Sequence, residues 1–255
     1  MTTVESTEVR CERSGPLASI IVDRPETRNA ISRNVMAGLE AILADLEGFP
    51  PAVVTIRGAG ERAFVSGGDL KEFAAILTLE EAEAMAIRMR AILDRIAGLS
   101  SVTIAEINGH ALGGGAELAT AADLRIAADD VRIGFAQITL GITPAWGGIE
   151  RLTTLVGRSR ALYLLTTGRA VTAAQASEWG LVEEVVQRGD FEERSAQLRA
   201  EIAGRPLEAL RTIKAIAARV RPSLQVDTES EAVRRFAQSW ISDEHWAAVA
   251  ALDKT

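Results

Sequence analysis

The chain has 255 residues, 28 basic against 35 acidic, and a formal charge of −7 at neutral pH. That length accommodates one large domain, or one with a small appendage, and the interspersed charges exclude the basic stripe that a duplex-binding surface needs. Cys11 is the single cysteine, which rules out an intramolecular disulfide and a thiolate zinc site, and two scattered histidines give no reason to expect another metal centre.

The opening MTTVESTEVR is polar and acidic, without the basic start and apolar core of a signal peptide. No apolar run approaches the roughly 20 residues that span a bilayer. The expectation is a soluble, cytoplasmic protein with neither a membrane nor a nucleic acid as partner. Further along, LASIIVDRP and AVVTIRGAG predict strands closed by turn residues. Between them Ile31, Val35, Leu39, Ile42 and Leu46 recur at helical spacing. A broad helical stretch over 80–98 precedes the apolar run SVTIAEIN, then a helix over 115–122 and short strands at LRIA and VRIGF. This alternation predicts an α/β fold with parallel pairing. Strand signals thin out after 157, and a long apolar-periodic pattern over 191–219 is broken by Gly204-Arg205-Pro206.

The stretch GHALGGGAE, residues 109–117, puts three glycines where a strand gives way to a helix. Glycine loses the most backbone entropy on folding, so the run needs a reason. A helix N-terminus has N–H groups without internal partners and carries partial positive charge, and glycine lets a ligand oxygen come close to that backbone. Neither GxxxxGK[ST] nor GxGxxG after a strand is present. Tight packing of helix on sheet explains the glycines equally well. A second pair, Gly67 and Gly68 in RAFVSGGDLKEF, lies between a strand-like run and a helix start that Asp69 is placed to cap. Two such turns are able to aim two N–H groups at one oxygen, as in an oxyanion hole for an acyl carbonyl.

In order and spacing, RAFVSGGDLKEF, INGHALGGGAELATAADLRIAADDVRIGF and LGITPAWGGIERLTTLVGRSRALYLLTTGRAVTAAQASEWGLVEEVV resemble the enoyl-CoA hydratase/isomerase (crotonase) superfamily, with the early DRPETRNAIS fitting as well. The resemblance implies a spiral of ββα units over 1–195 carrying an acyl-CoA site, and a C-terminal helical region over 196–255 that builds trimers, often paired into hexamers. It implies a coenzyme A thioester as substrate and no separate cofactor. By position, the N–H groups of Gly68 and Gly114 would hold the thioester oxygen, and Ala63, Val65, Asp69, Leu70, Gly113 and Trp146 would contact the substrate.

Hydratases of this family use two glutamates to hold a water. Glu117 matches the first, but Gln137 stands where the second is expected. An amide orients water and does not exchange a proton near neutral pH; loss of an acid/base group costs about 100- to 10,000-fold. Three readings follow. A 2-carboxyacyl-CoA of the methylmalonyl or ethylmalonyl type yields the enolate by losing CO2, with no base required. Locally, GHALGGGAELATAADLRI with PAWGGIERL is most similar to ethylmalonyl-CoA decarboxylases. Alternatively, Glu117 is the only acid/base of a hydratase, dehydratase or isomerase, with Gln137 orienting water. The third reading is a non-catalytic acyl-CoA binder.

His110 in the turn is expected to be solvated or packed, and His245, in a charged segment, to lie at the surface. Trp146 either packs under the glycine turn or walls the acyl pocket. Lys71 is a candidate for the CoA phosphates, although a lysine at a helix start is more often solvated.

Overall fold

The computed structural model describes residues 4–5, 8–219 and 228–252. Of the expected C-terminal helical region, 220–227 and 253–255 lie outside these.

The chain starts with an antiparallel set, β1 (Val4–Glu5), β2 (Val9–Ser14) and β3 (Leu17–Val22), followed by α1 (Arg33–Gly48). Ser32 caps α1, its side chain accepting from the Val35 N–H. Val35, Met36, Leu39, Ile42, Leu43 and Leu46 form the buried face. Ile31 falls just outside the helix, in an isolated parallel bridge with Gly68.

Strand pairs then repeat. β4 (Val53–Gly58) and β5 (Ala63–Val65) precede α2 (Leu70–Phe73) and α3 (Leu79–Gly98). β6 (Val102–Ile107) and β7 (His110–Leu112) precede α4 (Gly114–Ala121), and β8 (Leu124–Ala128) and β9 (Arg132–Gly134) precede a 3-10 turn at Ala136–Leu140 and then α5 (Gly148–Val156) and α6 (Arg158–Thr167). The first strand of each pair joins a seven-stranded sheet ordered β1-β2-β3-β4-β6-β8-β11, and the second joins a four-stranded sheet ordered β10-β9-β7-β5. Here β10 is Ala170–Thr172, β11 is Glu184–Val186, and α7 (Ala173–Glu178) lies between them. Each ββα unit is thus one turn of a spiral, and the pairings β3–β4, β4–β6, β6–β8 and β8–β11 are parallel. Parallel strands covered on both faces need near-continuous apolar sequence, and β4 and β6 are buried almost throughout.

Helices α8 (Phe191–Ala203), α9 (Leu207–Ala217), α10 (Thr228–Trp240) and α11 (Asp243–Leu252) complete the chain. The residue-195 boundary falls inside α8, and the Gly204-Arg205-Pro206 break separates α8 from α9. Among the described residues no helix is long and apolar enough to cross a membrane.

Candidate active site

The two glycine turns meet because β5 and β7 pair in parallel. Gly67, at φ +116°, lies so close to the second turn that a Cβ on it would be 3.3 Å from the Gly114 nitrogen. In the bridge beside Gly68, the Ile31 N–H donates to Gly67 O at 2.8 Å and the Asp69 N–H donates to Ile31 O at 2.9 Å. The flanking residues make both bonds, so the Gly68 N–H faces away from Ile31. Gly114 is the first residue of α4, a position whose N–H has no partner within the helix. Gly68 is half-buried and Gly114 buried. The site therefore deepens from one turn to the other.

The three consecutive glycines have three separate causes. Gly113 takes φ +54° and ψ −122°, open to glycine and strained for other residues. A Cβ on Gly114 would lie 2.8 Å from Trp146 Cε3 and Cη2, and one on Gly115 would lie 2.6 Å from the Val65 carbonyl carbon. Close packing and a backbone conformation reserved for glycine are both present in the same turn.

Glu117 follows in the first turn of α4 and is 2% exposed. Its Oε2 accepts from the Trp146 N–H at 2.9 Å and the Gly148 N–H at 2.8 Å, and its Oε1 accepts from Gln137 Nε2 at 2.9 Å. Burial pushes the Glu117 carboxyl up to about 7, against the opposing pull of those two backbone N–H groups, Arg151 and Gln137. Gly148 is glycine for a local reason: a Cβ there would be 2.7 Å from Glu117 Oε2. Gln137 sits on the 3-10 turn after β9, 7% exposed, and its carbonyl Oε1 is buried without a hydrogen-bond partner.

Trp146 is 5% exposed and packs under the glycine turn: its ring covers Gly114 and also reaches Gly68, whose Cβ would be 3.7 Å from Cη2. Among the other candidates, Ala63 and Val65 are buried in β5, and Leu70 is partly buried against the core. The Asp69 side chain accepts from the Glu72 N–H, capping α2, and pairs with Arg24 at 2.9 Å. Its carboxylate is occupied by the fold. Lys71 is exposed on α2.

The surface expectation for His245 is overturned. The residue is fully buried, its Nδ1 donates to Leu140 O at 2.7 Å, and its ring packs on Trp240 and Trp246. The charged neighbours that suggested a surface position, Asp243 and Glu244, form the first turn of α11, where acidic residues suit the helix dipole. His245 points inward from the same turn. His110 is exposed on β7, where its Nδ1 accepts from the Arg132 N–H.

Sequence reasoning missed the residues that hold the site together. Asn29, at φ +57°, donates through its amide to Ala59 O and Ala63 O, and Asn108 donates to Gly58 O and Gly60 O. These two amides fix the loop that leads from β4 into β5. Arg151 donates to Trp146 O at 2.7 Å and pairs with Asp94, pinning the loop that carries Trp146. The Asn-Gly pair at 108–109 was a readable turn signal; Asn29 and Arg151 had none.

Residues 12–248 match the enoyl-CoA hydratase/isomerase family. The putative enoyl-CoA hydratase/isomerase YngF of Bacillus subtilis is 39% identical over 202 residues, covering 78% of this chain and 76% of that protein. The ethylmalonyl-CoA decarboxylase of Xenopus laevis is 34% identical over 203 residues, covering 78% and 68%. Among solved structures, an enoyl-CoA hydratase from Bacillus anthracis superposes with a TM-score of 0.81 at 31% identity, over 97% of this chain and 96% of that one.

Proposed function

The chain belongs to the enoyl-CoA hydratase/isomerase family, and within it we propose that the protein decarboxylates a short 2-carboxyacyl-CoA of the methylmalonyl or ethylmalonyl type through an enolate held by the Gly68 and Gly114 N–H groups. The observation that carries this reading is the pairing of Glu117 with an amide, Gln137, instead of a second carboxyl group. Decarboxylation needs one proton donor. With its carboxyl pushed up to about 7, Glu117 is substantially protonated at neutral pH, as a donor to carbon has to be.

In this reaction the bond between the α-carbon and the carboxylate breaks, and its electron pair flows into the thioester as CO2 leaves. Negative charge builds on the thioester oxygen, where prearranged N–H donors act most strongly. The Glu117 proton then moves to the α-carbon, and solvent reprotonates the carboxylate. No cofactor beyond the CoA of the substrate is required. Assembly as a homotrimer or homohexamer belongs to the same proposal and rests on the family resemblance.

A second reading, hydration of a 2-enoyl-CoA with Glu117 as the only acid/base, draws on a different observation. The unpartnered Gln137 Oε1 beside Glu117 is an acceptor suited to a water, and the Bacillus anthracis structure is that of an enoyl-CoA hydratase. A paired assay on one preparation separates the two, following CO2 release from methylmalonyl- and ethylmalonyl-CoA and loss of crotonyl-CoA. Faster CO2 release supports decarboxylation. Rapid hydration without CO2 replaces it with the single-glutamate hydratase, and turnover of neither leaves a non-catalytic binder.

A further inference from the structure

Trp146 links the acid/base group to both oxyanion donors. Its backbone N–H holds Glu117 Oε2 at 2.9 Å, while its six-membered ring ends against Gly114 and Gly68. A thioester with its oxygen on those two glycines and its α-carbon facing Glu117 sends the remainder of its acyl chain toward this ring. Gly68 meets aromatic rings from two elements. Phe73 Cε2 would be 3.0 Å from a Cβ on Gly68 and Trp146 Cη2 3.7 Å from it, and Phe73 meets Trp240 edge-on with centroids 6.4 Å apart. Phe73 and Trp240 are 1% and 2% exposed, so this pair from α2 and α10 is fixed in the core. Trp146 is held in place as well: Arg151 grips Trp146 O at 2.7 Å, and Gly147 beside it takes φ +89°.

We propose that Trp146 is the specificity-determining residue for acyl length. Resting on the acyl-CoA reading above, this assigns its indole as the stop that admits propionyl and butyryl groups, with or without a 2-carboxylate, and rejects hexanoyl and longer groups. A close-packed interior does not yield cheaply to added methylenes. Opening the stop should therefore change the length profile while leaving recognition of the CoA moiety alone.

The test measures binding of propionyl-, butyryl-, hexanoyl- and octanoyl-CoA by titration calorimetry to the intact protein and its Trp146→Ala and Trp146→Phe variants. These saturated thioesters contain neither a carboxylate to lose nor a double bond to hydrate. The wild type is expected to bind hexanoyl-CoA roughly tenfold or more weaker than butyryl-CoA. In Trp146→Ala each newly accommodated methylene should tighten binding about fourfold. Trp146→Phe, a smaller change that keeps an aromatic ring in the core, should fall between. Free CoA should bind all three proteins alike. Wild-type affinity that keeps rising to octanoyl-CoA, or variants with the wild-type profile, would overturn the length stop and leave the acyl-CoA reading standing. A folded wild type that binds no acyl-CoA of any length overturns that reading, and this proposal with it.

Discussion

Replacing Glu117 by glutamine separates its electrostatic cost from its packing. The new side chain fits the existing bonds: its carbonyl oxygen takes the Trp146 and Gly148 N–H groups, and its amide faces Gln137. Gln137 then turns over to offer Oε1, which has no partner in the wild type. Burial lifts the wild-type carboxyl from 4.5 to about 7, so the folded state holds its proton over a range in which the unfolded chain has lost it. Stability contributed by this residue is complete below about 4.5 and falls as pH rises through about 7. At about 1.4 kcal/mol for each tenfold change in proton activity, the loss is on the order of 3 kcal/mol. Glutamine carries no such loss. Urea unfolding at fixed protein concentration and at pH 5, 6, 7 and 8 should show Glu117→Gln gaining on the wild type by about 3 kcal/mol across that interval, while kcat falls about 100- to 10,000-fold and thioester binding persists. A stability difference that stays flat with pH would refute the claim that burial raises this carboxyl.

Three further outcomes are expected. Gln137→Glu puts a second carboxyl at the position of an amide now 2.9 Å from Glu117; the pair should share one proton, and crotonyl-CoA hydration should rise above the wild-type level, which a spectrophotometric assay between pH 6 and 9 checks. Gly114→Ala drives a Cβ into the Trp146 ring and should destabilise by about 1–3 kcal/mol, a loss that a double-mutant cycle with Trp146→Ala should largely recover. His245→Phe keeps the ring among Trp240 and Trp246 but removes the donor to the part-buried Leu140 O; loss of that bond should lower unfolding stability by about 0.5–1.5 kcal/mol, and an unchanged denaturation midpoint would count against that bond.

Where periodicity ran long, the fold was readable: α1, α3 and the break between α8 and α9 lie where the apolar spacing put them. Three-residue strands such as β10 and β11 are too short to show an alternation and exist through their partners in the sheet. Strand β2, between β1 and β3, alternates more and less buried residues only at its start. At the site, the two glycine turns stood out by residue type, while Gly68, Gly114, Glu117 and Gln137 were singled out by the family resemblance; the structure brings the two turns together, with Glu117 bonded to Gln137. The support around them did not stand out. Asn29 and Asn108 hold backbone carbonyls some 30 to 50 residues away, and Arg151 pairs with Asp94 on another helix; bonds at that distance leave no local pattern. His245 misled because its neighbours advertise a helix start, whereas its own environment depends on Trp240 and Trp246 closing round it.

The two N–H groups of Trp146 and Gly148 grip Glu117 Oε2 in the way that Gly68 and Gly114 are proposed to grip the substrate oxygen. The enzyme's own carboxylate thus has a cradle of the same kind as the enolate. In the proposed reaction, as the proton crosses from Glu117 to the α-carbon, negative charge would leave the Gly68 and Gly114 donors and settle on those of Trp146 and Gly148, and neither pair would have to reorient. Donors fixed by the fold before the reaction add little reorganisation to the barrier. In the proposed decarboxylation the charge thus passes from one fixed cradle to another, and a proton taken from solvent then returns Glu117 to its starting state.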